Sequence, residues 1–237
     1  MATFVLVHGA YHGAWCWSRL VPKLQAAGHQ VIAPDLPGHG DDRASMADVS
    51  LQSYAHRIAE IAAAADNPVV LVGHSMAGAV IAMAAETAPE HIGRLVFLTA
   101  YIPASGESLT DQVRRDTQFR IPVERCERDG VACLRMSDDV ARRHFYFDAV
   151  GEDFEWVRGR LQVQPVGPFT ERLTLSASRF GQLAKAYIHC KEDHAIGFSL
   201  QRRMARAAGC DPTVILNSGH SPFLTHPDDL AESLLAL

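Results

Sequence analysis

Six short runs of apolar, largely β-branched residues punctuate the chain: TFVLV at 3–7, VIA at 31–33, VVLV at 69–72, LVFLT at 95–99, AYIHC at 186–190 and TVIL at 213–216. Near-continuous apolarity of this kind marks strands buried on both faces, as in a mostly parallel sheet. Helical patterns separate most of them. One runs from Ser18 to Ala27 and stops at Gly28. A second begins at Ser50, sets Leu51, Tyr54, Ile58, Ile61 and Ala62 on one face, and stops before Pro68. A third, Ala77 to Ala88, is almost wholly small and apolar, which predicts burial against the sheet. Two more are expected over Ser199 to Ala208 and from Pro227, where Asp228 and Asp229 sit at the positive end of the helix. Strands alternating with helices predict an α/β fold with about six strands flanked by helices.

The composition narrows the function classes. With 237 residues, 48% hydrophobic and 21% charged, the chain can bury a full core without a disulfide or metal staple, as one domain with or without an insertion. Its net charge of −5 argues against gripping a nucleic-acid backbone, so no nucleic-acid partner is expected. The five cysteines are odd in number and show no short paired spacing, which suggests neither a disulfide framework nor a zinc site and fits a reducing compartment. No basic leader precedes the first strand and no apolar run approaches a membrane span, so a cytoplasmic protein without a membrane partner is expected. The oligomeric state stays open, a homodimer included.

The rhythm breaks between about Pro103 and Phe180. That stretch is too long for a plain crossover, so residues 103–180 are expected to be an inserted cap, with the core built from 1–102 and 181–237. Residues 111–160 hold ten arginines interleaved with eleven acidic residues, a pattern read as solvated helical surface. Phe145, Tyr146, Phe147 and Trp156 supply apolar mass there.

The chemistry concentrates at strand ends. VVLV runs into Gly73-His74-Ser75-Met76-Ala77-Gly78 and then into the buried helix, the strand, tight turn and helix expected of a nucleophile elbow. Small residues are needed because the turn strains the serine backbone and brings the helix close to neighbouring strands. Ala77 stands where strict GxSxG asks for glycine, with Gly78 following at once. The competing reading is a serine that merely caps a helix. A serine nucleophile needs a base, and the base needs a carboxylate. His220 follows TVIL, and AYIHC ends in Lys191-Glu192-Asp193, so the acid is Asp193 or Glu192, in the chain order serine, acid, histidine. Oxyanion donors are expected from the backbone N–H of Met76 and of Ala10, where Gly9 lets the chain pass close. His8 and His12 lie on a loop with no third ligand in view, so no metal is expected, and Asp35 is expected to hold a turn.

With FVLVHGAYHGAWCW, APDLPGHG, LVGHSMAG, YIHCKEDHAI and NSGHSPFLTHPDDL in order, the chain resembles the α/β-hydrolase superfamily, in the branch of plant methylesterases and hydroxynitrile lyases with bacterial carboxylesterase relatives. The resemblance spans both ends and is weakest over 103–180. It implies an α/β-hydrolase fold with a cap over an apolar pocket, a triad of Ser75, Asp193 and His220, and oxyanion donors at Ala10 and Met76. It also decides for Asp193 over Glu192. Lyases of this branch carry a threonine after the first strand and a lysine after the catalytic histidine, where this chain has Gly9 and Ser221. The reading that follows is a cofactor-free serine esterase for small carboxylic esters, methyl or aromatic ones included. Gly9, Tyr11, Phe145 and Trp156 are its candidate substrate contacts. The alternatives are lyase chemistry and a ligand receptor with vestigial hydrolysis.

Overall fold

The computed structural model describes all residues from Met1 to Leu237. In chain order its first elements are β1 (Thr3–Val7), α1 (Val21–Ala26), β2 (Gln30–Ile32), α2 (Leu51–Ala63), β3 (Val69–His74), α3 (Ala77–Thr87) and β4 (Ile92–Leu98). A long excursion follows, with α4 (Leu109–Arg115), β5 (Glu124–Arg128), β6 (Val131–Arg135), α5 (Asp138–His144), α6 (Asp153–Arg158), β7 (Gln164–Pro165) and α7 (Gly167–Thr170). The chain then returns through β8 (Lys185–Cys190), α8 (Phe198–Ala207), β9 (Thr213–Leu216), α9 (Pro222–Thr225) and α10 (Pro227–Leu235).

Six strands form one parallel sheet in the order β2-β1-β3-β4-β8-β9. Every residue of β1 and β8 is buried, whereas the two edge strands β2 and β9 are partly wet. The order reverses direction at β1. Right-handed crossovers therefore place α1 on one face of the sheet and α2, α3 and α8 on the other. The contacts agree: α2 packs on α3, and α10 returns to pack on α1. A ligand crevice opens where such a reversal occurs, outside the carboxyl ends of β1 and β3.

Local chemistry fixes the elements. Ser50 caps α2 by accepting the Ser53 N–H while the Ser53 hydroxyl accepts the Ser50 N–H. Gly28, in the left-handed region at φ +87°, ends α1, and the His29 N–H closes back on the Leu24 carbonyl in a Schellman arrangement. The helix expected from Ser18 starts only at Val21. Residues Ala14–Trp17 form a separate 3₁₀ turn, and Pro22, which lacks an N–H, occupies the first turn of α1. Ile61 is half-buried rather than fully inside, with Ala55 and Ala59 taking the inner face of α2 instead.

The mixed-charge run is not all helix, which corrects the expectation above. Residues 124–135 form the β5–β6 hairpin, closed by Asp129 (φ 53°) and Gly130 (φ 76°), and β7 adds a third antiparallel strand. An Asp-Gly pair with positive φ at both residues is the two-residue turn whose twist suits adjacent antiparallel strands.

Candidate active site

Ser75 sits at the apex between β3 and α3 with φ 55°, a left-handed conformation that costs a non-glycine residue about 1–3 kcal/mol. Three backbone bonds hold it there. Its N–H donates to the Leu98 carbonyl (3.3 Å), and its carbonyl accepts the N–H groups of Gly78 (3.2 Å) and Tyr101 (3.0 Å). The close approaches explain the glycines. A Cβ at Gly78 would lie 2.2 Å from the Tyr101 carbonyl oxygen, and one at Gly73 would lie 2.7 Å from the Ala77 carbonyl oxygen. Position 77 itself is an ordinary buried helical residue, so alanine fits where the strict motif asks for glycine.

His220 and Asp193 form a fully buried pair, Nδ1 to Oδ2 at 2.7 Å. A carboxylate only accepts, so Nδ1 carries the hydrogen of this bond, and Nε2 is the ring nitrogen left for other partners. That Nε2 is buried and has no hydrogen-bond partner, and no hydrogen bond joins it to the Ser75 hydroxyl. Such bonds often tighten only when substrate is present. The Asp193 carboxylate is held by four donors: the His220 ring, the Thr99 hydroxyl (2.5 Å, on the same oxygen), and the N–H groups of Ala195 (2.6 Å) and Ile196 (2.9 Å). Asp193 thus caps the following turn and orients His220 at once. Glu192 is exposed, and only its backbone N–H reaches toward the histidine loop, at the Ser218 carbonyl.

The structure brings Ala10 and Met76 to the same spot as Ser75, because a Cβ on Gly9 would lie 3.0 Å from the Ser75 Cβ. Neither the Ala10 nor the Met76 N–H donates to an acceptor within the protein. Ala10, Tyr11, Ser75 and Met76 line a cavity of about 450 Å³ whose remaining wall comes mostly from residues between β4 and β8, including Thr110, Val113, Leu134, Phe145 and Phe169. Phe145 also meets the His220 ring edge-on at 4.9 Å. Trp156 corrects the list of candidate substrate contacts. It is absent from the cavity wall, packing edge-on against Trp15 with Arg160 over its face. Gly9 does not line the cavity either and acts by clearance alone.

Three polar neighbours escaped the sequence reading. Thr99 supports Asp193. His74 donates from Nε2 to the His220 carbonyl (2.8 Å), and Asp148 accepts the Gly219 N–H (2.8 Å), so both fix the histidine loop. Thr99 was findable, being the polar residue that ends the apolar run LVFLT, just past β4. His8 and His12 serve the fold as neutral rings. The His8 Nδ1–H donates to the Gly9 carbonyl while its Nε2 accepts the Leu36 N–H (3.1 Å). The His12 ring bonds the Ala10 carbonyl on one side and the Tyr146 hydroxyl on the other. Asp35 holds its turn by accepting the N–H groups of Ala14 and Asp41.

Burial lowers the pKa of His8 and His189 to about 4 and of His12 and His39 to about 3, and drives that of His74 well down. Each folded pKa lies below the unfolded value near 6.5, so the unfolded chain binds more protons between them, and stability is lost as pH falls from about 6.5 toward 4. Each such group removes up to about 1.4 kcal/mol per pH unit, and five together consume a typical 5–15 kcal/mol within one to two units. Cooperative acid unfolding with a midpoint near pH 5 is the expected outcome in a tryptophan-fluorescence titration. A fold retained unchanged at pH 4 would contradict the neutral, buried assignment.

A doubly wound parallel sheet with a strained serine on the strand-to-helix turn at its switch point is the architecture of the α/β-hydrolase class of fold. The alpha/beta hydrolase family model matches residues 4–233, and the chain belongs to that family. Among curated relatives, Methylesterase 2 of Arabidopsis thaliana is 32% identical over 99% of this chain and 95% of its own length. Polyneuridine aldehyde esterase of Rauvolfia serpentina is 31% identical over 98% and 94%. The crystal structure of a polyneuridine aldehyde esterase superposes with a TM-score of 0.88 at 26% identity, covering 100% of this chain and 98% of that one. The pyrethroid hydrolase PytH gives 0.84, also at 26%, over 100% and 96%. No helix is long and apolar enough to cross a membrane.

Proposed function

We propose that the chain is a serine carboxylesterase acting on small carboxylic esters, with Ser75 as nucleophile, His220 as general base and acid, Asp193 as its orienting carboxylate, and the N–H groups of Ala10 and Met76 as oxyanion donors. The observation that carries the reading is the strained Ser75 on the floor of an apolar cavity, backed by the buried His220–Asp193 pair. The names of the methylesterase and esterase relatives support the same class.

In this mechanism His220 Nε2 takes the Ser75 proton as Oγ attacks the ester carbonyl. The oxyanion forms where the two free N–H groups point, and the alcohol leaves with the proton returned by His220. Water then enters, His220 deprotonates it, and the acyl-enzyme is hydrolysed. Every step uses groups of this chain and water, so no cofactor is called for. Residues 103–180 act as the cap, supplying the apolar wall that orients the ester and excludes bulk water. Ser221, beside His220, offers no cation for a cyanide leaving group, which favours ester hydrolysis over lyase chemistry.

The test is treatment with a serine-directed fluorophosphonate followed by peptide mapping. A single adduct on the peptide bearing Ser75, formed in step with loss of methyl-ester hydrolysis, is expected. Hydrolysis that survives full labelling of Ser75 would remove the proposal.

A further inference from the structure

The wall of the cavity over Ser75 is mostly apolar, and every charged residue on it is a cation. Arg114, Arg120 and Arg125 line it, and no aspartate or glutamate does. Only Arg114 has a carboxylate within ion-pair range, Asp111 at 3.9 Å, and that carboxylate also faces Arg172 at 3.7 Å. Arg120 is held in place differently. Its two terminal nitrogens donate to the Val113 and Arg114 carbonyls (2.9 and 3.1 Å) at the end of α4, which fixes the guanidinium without neutralising it. A guanidinium carries five N–H donors, so donors remain for a ligand. Tyr101 lines the same cavity as these arginines, and its N–H donates to the Ser75 carbonyl. Asp116, four residues before Arg120, forms no ion pair with it. Its oxygens accept the N–H groups of Gln118, Phe119 and Gly197.

We infer that the substrate is an ester whose non-reacting end carries a carboxylate, with an apolar spacer, so that the carboxylate pairs with Arg120 while the ester carbonyl lies over Ser75. The inference rests on the esterase reading and adds the substrate class. The spacer meets Val113, Ile121, Val123 and Phe169, and the carboxylate meets a preorganised fork that suits its geometry.

The experiment compares monomethyl suberate with dimethyl suberate, which share the scissile methyl ester and differ in end charge. About a tenfold higher kcat/KM is expected for the charged ester, carried by KM and reduced by added salt. Arg120→Gln should erase most of that ratio and Arg120→Lys restore part of it. A second readout does not need turnover: monomethyl suberate titrated into Ser75→Ala protein should bind, and the added Arg120→Gln change should weaken binding about tenfold. Ser75-dependent hydrolysis that favours the neutral ester, or a ratio unmoved by Arg120→Gln, overturns this inference and leaves the esterase reading intact. If neither suberate ester is hydrolysed while p-nitrophenyl acetate is turned over in a Ser75-dependent way, this inference falls and the esterase reading stands; if p-nitrophenyl acetate is not turned over either, both fall.

Discussion

Ser75→Ala is expected to lower kcat/KM for a small ester by about 10⁴-fold or more while leaving the melting temperature unchanged. The size of the first effect follows from covalent catalysis. Without Oγ there is no acyl-enzyme, and only the oxyanion donors and the pocket remain to help a water molecule. The absence of the second effect follows from the structure. The Ser75 hydroxyl makes no hydrogen bond within the fold, and its strained backbone is held by bonds of its own N–H and carbonyl, which alanine keeps. Alanine also keeps the Cβ that packs near Gly9. A stability change beyond about 0.5 kcal/mol would mean that the hydroxyl has a structural role this account does not give it.

The second large effect belongs to Gly78. A Cβ there would fall 2.2 Å from the Tyr101 carbonyl oxygen, a backbone atom that cannot swing aside. The Tyr101 segment would have to move, and it carries the N–H that donates to the Ser75 carbonyl. Gly78→Ala is therefore expected to cost roughly 3 kcal/mol or more and to lower the melting temperature by about 10 °C, with activity falling in parallel. Ala77→Gly supplies the contrast. It restores the strict motif on paper, yet position 77 has no close approach that needs glycine. Only the helix-propensity loss of about 1 kcal/mol is expected, with kcat/KM within a few-fold. Thermal melts of the two proteins beside the parent check both statements, and a Gly78→Ala protein as stable as the parent would contradict the steric argument.

The parallel sheet was legible because its strands are buried on both faces, so burial writes itself into the sequence as unbroken apolar runs. The two carboxylates after β8 were not separable by chemistry, since either could orient an imidazole. Folding separates them by turning Asp193 inward under the N–H groups of Ala195 and Ile196 and leaving Glu192 in water. The β5–β6 hairpin was hidden by its charges, because a strand pair that lines a cavity and buries only Cys133 shows little apolar period. Its Asp129-Gly130 turn was the readable signal. Trp156 illustrates the opposite error, since large apolar mass in an insertion serves its own packing as readily as a ligand. Partners such as Thr99, His74 and Asp148 depend on which strand ends and loops meet in space, which no linear pattern states.

The central claim is that Ser75 is acylated during turnover. Stopped-flow release of p-nitrophenol from its acetate, with acid-quenched samples mapped by mass spectrometry, reads this directly. The account predicts a burst proportional to enzyme concentration, steady turnover after it, and an acetyl group on the peptide bearing Ser75, all lost in Ser75→Ala. Steady hydrolysis unchanged in Ser75→Ala, with no acetyl group on that peptide, would contradict it.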